Sequence, residues 1–324
     1  MDRVRTTLRF VDLAGRGLEI GPSYSPIVPK ASGARVETVD HADRDTLIEK
    51  YRAWGLPEEQ LALIEDVDHI WAGGSLAEVV GERGAFEYIV ASHLVEHTVD
   101  LIGFLQDCSA LLTPDGVLSL VVPDKRYCFD RFQPHTSVGA AVDAHLFPRR
   151  FHTPGSLLDH HAYATKRGES TIAWGPLDAA PLSLQFDDLA AGRDSIEVGL
   201  SGDAYHDVHR WKFTPSSFRL LVQDLRALGY HDLVETGDIV TRRFEFFVSF
   251  RKASGDDPEL DRMTMLRAVE DELAAPLATE QLPSSGVGSA PRGPRTMSSM
   301  LRLGDVRALL ASAARRVRGV RPDG

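Results

Sequence analysis

At 324 residues the chain can bury one substantial core and carry appendages, which bounds it at one or two domains. Its 43% apolar and 26% charged content are those of an ordinary soluble protein, and no apolar run approaches the ~20 residues a membrane span needs. A formal net charge of −11 excludes a general nucleic-acid binder, whose surface would be basic.

Residues 1–16 read as a lead-in containing a short helix on the edge of a sheet. Leu18 to Ile20 then form a short buried strand that stops at Gly21, where Pro22 can donate no further ladder bond. The next apolar run, Val36 to Val39, is rich in β-branched residues and ends on Asp40. A strand, a glycine turn and a second strand ending in a carboxylate is how doubly wound α/β sheets hold a nucleoside: the glycine lets the ligand approach the backbone and the carboxylate accepts from ribose hydroxyls. The phosphate half is missing. Gly15, Gly17 and Gly21 do not have G-x-G-x-x-G spacing, and Ser23 and Ser25 stand where further glycines would be, so a nucleoside without pyrophosphate fits better than NAD.

A helix is expected from Asp43 to Tyr51, a brief strand at Asp66 to Trp71, a turn at Ala72-Gly73-Gly74-Ser75 and a helix to Val80. Phe86 to Ala91 is the clearest strand. Glu96 and His97 are read as opening the helix that follows, where an acid complements the dipole and a histidine cation does not. That helix runs from Val99 to Leu112 with Leu101, Phe104, Leu105, Cys108 and Leu111 on one stripe. Pro114-Asp115-Gly116 turns the chain into a strand at Val117 to Val122, and Pro123 and Asp124 end it at the carboxyl edge, where open α/β sheets bind ligands.

Residues 125–210 break the alternation. They are long, aromatic and rich in histidine, with helical pieces at Val138 to Leu146 and Ser156 to Tyr163 and no clear strand, and are read as a large inserted lid. Thr214 and Pro215 then cap and start a helix that Gly229 ends. His231 to Val240 and Arg243 to Arg251 read as an antiparallel pair. Beyond them come a polar helix at Asp261 to Ala275, a Pro/Gly/Ser-rich linker at Pro283 to Ser299, and a basic amphipathic helix at Met300 to Val320 suited to an anionic membrane surface or a protein partner.

Leu18-Glu19-Ile20-Gly21-Pro22, Asp40, the run Phe86 to His97 and Leu112-Thr113-Pro114-Asp115-Gly116-Val117-Leu118 together resemble class I S-adenosylmethionine-dependent methyltransferases, in particular the branch called methyltransferase type 11. The family's glycine loop usually carries further glycines, and this chain departs from it with Pro22-Ser23-Tyr24-Ser25-Pro26. The resemblance implies a Rossmann-like methyltransferase fold: a doubly wound, mostly parallel seven-stranded sheet closed by a C-terminal antiparallel pair. It divides the chain into a cofactor-binding half (1–124), the lid (125–210), a completing helix and hairpin (211–252) and a tail (253–324). It implies S-adenosyl-L-methionine as cofactor, with Gly21 and Pro22 forming the turn, Glu19 bonding the cofactor's amino group or capping nearby amides, and Asp40 holding the ribose. Ser75 stands at the turn where relatives often hold the adenine, and Ser92 and His93 face the methionine part.

For a general base the lid is the place to look, because a histidine titrates near working pH. His206-Asp207-Val208-His209 offers two histidines beside a carboxylate, and Asp124 at the sheet edge is a third candidate. The spacing of His206 and His209 would also suit two metal ligands, but with no cysteine or acidic cluster beside them no metal is expected. Lys125-Arg126-Tyr127 could bind an anionic or carbohydrate substrate. Trp174, Trp211, Tyr127 and Tyr205 suggest stacking on a saccharide-like or other small acceptor, hence O-methylation, unless they are lid core. The competing expectation is a non-catalytic, methyltransferase-like scaffold acting through its C-terminal helix; an NAD-linked oxidoreductase is disfavoured by the missing glycines. Only Cys108 and Cys128 are present, in no metal-spaced pair, and no apolar core follows Met1 to Thr6, so a reducing, cytoplasmic setting is expected.

Overall fold

The chain alternates strand and helix up to its middle. A computed structural model describes residues 2–175, 180–202, 205–255, 257 and 260–274. Five strands come first: β1 (Arg16–Ile20), β2 (Arg35–Asp40), β3 (His69–Ile70), β4 (Phe86–Ser92) and β5 (Leu112–Pro123). Then follow β6 (Thr165–Arg167), β7 (Leu182–Leu184), β8 (Leu233–Glu235), β9 (Val240–Arg242) and β10 (Glu245–Lys252). Eight of them make one sheet in the order β3-β2-β1-β4-β5-β10-β8, with β9 paired on β10. The first five are mutually parallel, and β10 runs antiparallel to β5, β8 and β9. The α/β doubly wound reading holds.

The pleat assigns the two faces. Leu18 and Ile20 of β1, with Ile89 and Ala91 of β4, belong to the larger core; Tyr88 and Val90 face the other way, with Val36. Gly17 has no side chain for a close-packing reason: a Cβ there would lie 1.8 Å from Tyr88 Cζ.

Ten helices surround the sheet among the described residues. The first, α1 (Arg3–Thr7), lies across β5 and β10 rather than on the sheet edge, because the Ser119 hydroxyl donates to the Thr7 carbonyl. Capped by Asp43, α2 (Arg44–Ala53) packs with α3 (Glu58–Leu61) in a small cluster of Leu47, Tyr51, Leu61 and Ile64. On the larger core sit α4 (Leu76–Val80), capped by Ser75, and α5 (Leu101–Leu111), capped by Asp100. From the insertion, α6 (Val138–Leu146) packs against α5 and, with Ala141 and Ala144, fills that same core. Then α7 (Pro154–Tyr163) and α8 (Gly192–Ser201) pack on each other, and β6 and β7 form a separate two-stranded ribbon. The ribbon corrects the strand-free reading of the insertion; its strands are three residues long and too short to show alternation. Thr214 and Ser217 make a reciprocal capping box on α9 (Pro215–Ala227), which buries Phe218, Leu221, Val222 and Leu225. Finally α10 (Arg262–Ala274) packs on α9.

No α-helix follows β1: residues 21–34 are turns and loop with one 3-10 turn, Lys30–Ser32. Two further boundaries differ from expectation. Residues 112–123 form one continuous strand, the expected turn being a bulge where the β4–β5 register slips between Phe86 and Tyr88. The stretch from His231 to Val240 splits into β8 and the start of β9. The linker and basic helix expected from Pro283 to Val320 lie outside the described residues. Among the described residues no helix is long and apolar enough to cross a membrane.

Candidate active site

The chain leaves β1 toward β2 on one side and returns to β4 on the other, so the carboxyl ends of β1 and β4 flank the point where strand order reverses. In open α/β sheets that crevice is where ligands bind. Gly21 occupies it with φ +70°, donating its N–H to the Val39 carbonyl at 2.7 Å. Only a glycine takes that conformation without a steric penalty. The two strand ends therefore converge as expected. The Ser23 amide, also at positive φ, donates to Asp40 Oδ2 at 3.1 Å and ties the turn to the second strand.

Asp40 is nearly buried at the end of β2, and its Oδ1 accepts from the His41 amide (2.8 Å) and lies 2.7 Å from His41 Nδ1. A carboxylate offers about four acceptor positions, so Oδ2 keeps one beside the Ser23 contact. Leu94 narrows the space over Gly21, its Cδ1 standing 2.8 Å from where a Cβ would be. Pro22 is buried beneath the turn.

Glu19 takes the capping role. It points to the face opposite Leu18 and Ile20, where Oε1 accepts from the Ile27 amide at 2.6 Å and Oε2 from the Val28 amide at 2.8 Å. Burial pushes its carboxyl up to about 7, against the two amides that lower it. With both oxygens engaged on loop backbone, it shapes residues 22–28 rather than reaching into the crevice. Ser75 is likewise corrected: its hydroxyl donates to Asp107 Oδ1 and accepts from the Glu78 amide, so it serves the start of α4.

At the end of β4, the Ser92 hydroxyl accepts from Arg3 Nη2 at 2.6 Å, and His93, with φ +51°, places Nε2 2.9 Å from Glu245 Oε2. Arg3 also donates to Glu245. Ser92 and His93 thus lie at the crevice but are braced from α1 and β10. Residues Val95–His97 form a 3-10 turn, and α5 starts only at Leu101, so Glu96 and His97 do not open that helix. The Arg210 and Trp211 amides both donate to the Glu96 carbonyl, which docks the end of the insertion on this turn.

That docking brings His209 to the crevice but not His206. His209 Nδ1 lies against Asp130 Oδ2, in a buried pair, and its ring meets the His97 ring edge to face at 4.6 Å. Among the described residues no hydrogen bond or ion pair joins the His206 ring to this cluster. The neighbour His209 gains is His97, whose Nδ1 lies 3.1 Å from Asp207 Oδ1. Burial alone would lower His97, but Asp207, Glu96 and Asp130 outweigh it and carry it up to about 9. Sequence reasoning missed Glu96 and Asp130 as site residues: Glu96 was read as the acid that opens the following helix, and Asp130 carried no signal.

Asp124 is not placed as a base. It is buried, and the Arg126 guanidinium grips both of its oxygens while also reaching Glu272 of α10. Burial raises its carboxyl despite that cation. Lys125 is buried too and donates to the Arg131 carbonyl, so the Lys125-Arg126-Tyr127 run is structural. Of the four aromatics, Trp174, Trp211 and Tyr127 are buried, and Trp211 Nε1 donates to the Thr98 carbonyl at 2.7 Å. Tyr205 stays exposed and packs on His152.

The sheet order, with one reversed strand, β10, between β5 and β8, and the crevice at Gly21 and Asp40 together decide the architecture. The chain has a doubly wound, mostly parallel α/β fold, as the resemblance to class I methyltransferases implies. No family model and no curated protein matches it. Among solved structures it is similar to the CcbJ methyltransferase from Streptomyces caelestis, at 15% identity over 77% of this chain and 95% of that one, TM-score 0.36. A SAM-dependent methyltransferase from Thermotoga maritima is similar at 15% identity over 40% of this chain, with TM-score 0.29, and the chain spans about half of that protein, 53%. A protein from Rhodobacter sphaeroides named as a Zn-dependent alcohol dehydrogenase is similar at 14% identity over 78% and 91%, TM-score 0.42. These relatives differ in activity from one another, and at such values the likeness assigns none to this chain.

Proposed function

We propose that the protein is an S-adenosylmethionine-dependent methyltransferase that methylates a hydroxyl of a small, saccharide-like acceptor. The observation that carries this reading is the nearly buried Asp40 carboxylate, joined through the Ser23 amide to the turn at Gly21, on a crossover without a helix. A helix N-terminus is what a pyrophosphate needs, and here none stands behind β1, which favours an adenosine over a dinucleotide. The residues suit the group: Gly21 leaves room beside the backbone and Asp40 keeps an acceptor position for a ribose hydroxyl. Ser92 and His93, at the end of β4, border the same crevice, which supports a role for them beside the methionine portion. The cofactor would supply an electrophilic methyl on a sulfonium sulfur. The chain's part is to hold it against the acceptor and exclude water, and positioning supplies much of the rate of such a displacement. No side chain is assigned as base. Exposed Tyr205 supports the choice of acceptor, which three of the four aromatics no longer support.

A scaffold without turnover is the second reading, favoured by Leu94 over Gly21 and by the contacts Asp40 already makes. Calorimetry of the full chain with S-adenosylhomocysteine separates the two. The transferase reading expects a Kd of ~1 μM, about −8 kcal/mol. It further expects Asp40→Ala to weaken binding roughly 10- to 100-fold, the loss of charge-assisted hydrogen bonds. Absence of heat at millimolar ligand would sink it and favour the scaffold.

A further inference from the structure

The Glu96 side chain is fully buried, and neither carboxylate oxygen has a hydrogen-bond partner. A buried, unpartnered carboxylate is costly, and native structures keep one only where something satisfies it. Three imidazole nitrogens surround Oε1: His93 Nδ1 at 3.7 Å, His97 Nε2 at 3.9 Å and His209 Nε2 at 4.0 Å. All three distances exceed hydrogen-bonding range. Protonated rings would therefore balance the charge without satisfying the oxygens.

The rear of two rings is built differently. His209 turns Nδ1 to Asp130 in a hydrogen-bonded pair, and His97 sets Nδ1 at ion-pair distance, 3.1 Å, from Asp207 without hydrogen-bond geometry, so a carboxylate backs each imidazole and Nε2 is left facing Glu96. A carboxylate behind the far nitrogen of each histidine fixes tautomer and ring direction at metal centres and raises ligand basicity. Glu96, His97 and His209 also bring their ligand atoms within 4.8 Å of one another. Donors bound at ~2.1 Å stand about 3.0–3.4 Å apart, so closure asks each to move inward by roughly half an ångström. A second grouping, Cys128, Asp130 and His209, shares one histidine. It is the weaker set, because Asp130 is spent on His209 and burial pushes the Cys128 thiol up, away from thiolate.

From this juxtaposition we infer that Glu96, His97 and His209 form a binding site for a first-row divalent cation, with Asp207 and Asp130 as the groups that orient its histidines. Two imidazoles and one carboxylate leave coordination positions open, as in catalytic zinc sites and non-haem iron sites. They are the donors that prefer Zn²⁺ over Mn²⁺ and bind Mg²⁺ poorly. The site adjoins the end of β4. His209 then acts as a ligand rather than as a proton acceptor. Cation binding itself does not depend on the methyltransferase reading.

The test is titration of the EDTA-stripped full chain with ZnCl2, MnCl2 and MgCl2 against a chromophoric chelator, with thermal unfolding of the same samples. One Zn²⁺ per chain is expected, with Mn²⁺ weaker, Mg²⁺ unbound, and a melting temperature that rises with Zn²⁺. Glu96→Gln should abolish both the binding and the melting shift, and Asp130→Asn should weaken Zn²⁺ roughly 10- to 100-fold. Should Glu96→Gln not fold, His97→Ala, at a partly exposed ring, serves in its place. Failure of the wild-type chain to bind Zn²⁺, or wild-type affinity in the folded variant, overturns the inference. S-adenosylhomocysteine calorimetry on the stripped protein reads the cofactor site separately, so the two ideas can fail independently.

Discussion

Replacing Glu19 by glutamine tests how the crevice is shaped. The carboxylate is 2% exposed and accepts two loop amides at 2.6 and 2.8 Å. Glutamine keeps one acceptor and turns an NH2 toward the other amide, leaving a buried N–H unsatisfied at a cost of about 1–3 kcal/mol. Against this stands the burial of charge. Burial carries the carboxyl from 4.5 to about 7 in the folded chain. A rise of that size corresponds to about 3 kcal/mol at 1.4 kcal/mol per unit. Because the folded value lies above the unfolded one, the native state binds the proton more tightly. The stabilisation is fully present below pH 4.5 and is lost as pH rises through about 7. Glutamine has no such proton. Urea unfolding followed by tryptophan fluorescence should therefore show Glu19→Gln less stable than wild type by about 1–3 kcal/mol at pH 5, with the gap closing or reversing by pH 8. A difference that stays constant across that range would refute the reasoning, since it would mean that the buried carboxyl does not titrate there.

Gly21→Ala would force an L side chain to φ +70° and set its Cβ 2.8 Å from Leu94 Cδ1. Thermal unfolding should report a loss of about 1–2 kcal/mol from the left-handed backbone alone, and calorimetry a weaker S-adenosylhomocysteine complex. Arg126→Ala strips Asp124 of its cation in a buried setting, and chemical unfolding should show about 3–5 kcal/mol lost. If Asp124 were instead a solvent-facing base, that substitution would leave stability unchanged and alter only the rate.

The histidines show where legibility stopped. His206 and His209 stand three apart and looked like a pair, yet a three-residue spacing places two side chains together only on a helix, and residues 205–210 are not helical. What turned His209 inward was the pairing of the Arg210 and Trp211 amides with the Glu96 carbonyl, a contact between segments far apart in the chain. The aromatics failed for a related reason. Tyrosine and tryptophan suit a sugar face and a protein core equally well, and only packing showed Trp174, Trp211 and Tyr127 to be interior.

Local chemistry alone determined much of the frame. Strand ends at Gly21 and Asp40, the helix behind Asp43 and the cap at Thr214 all follow from conformational limits and hydrogen bonds within a few residues. The tertiary structure alone decided which partners the charged groups found. Glu19 went to the Ile27 and Val28 amides, Glu245 to Arg3 and His93, and Glu96 to His209 beside its own neighbours His93 and His97. A backbone preference is written in its own neighbourhood, whereas a buried charge is settled by whatever the completed sheet brings against it.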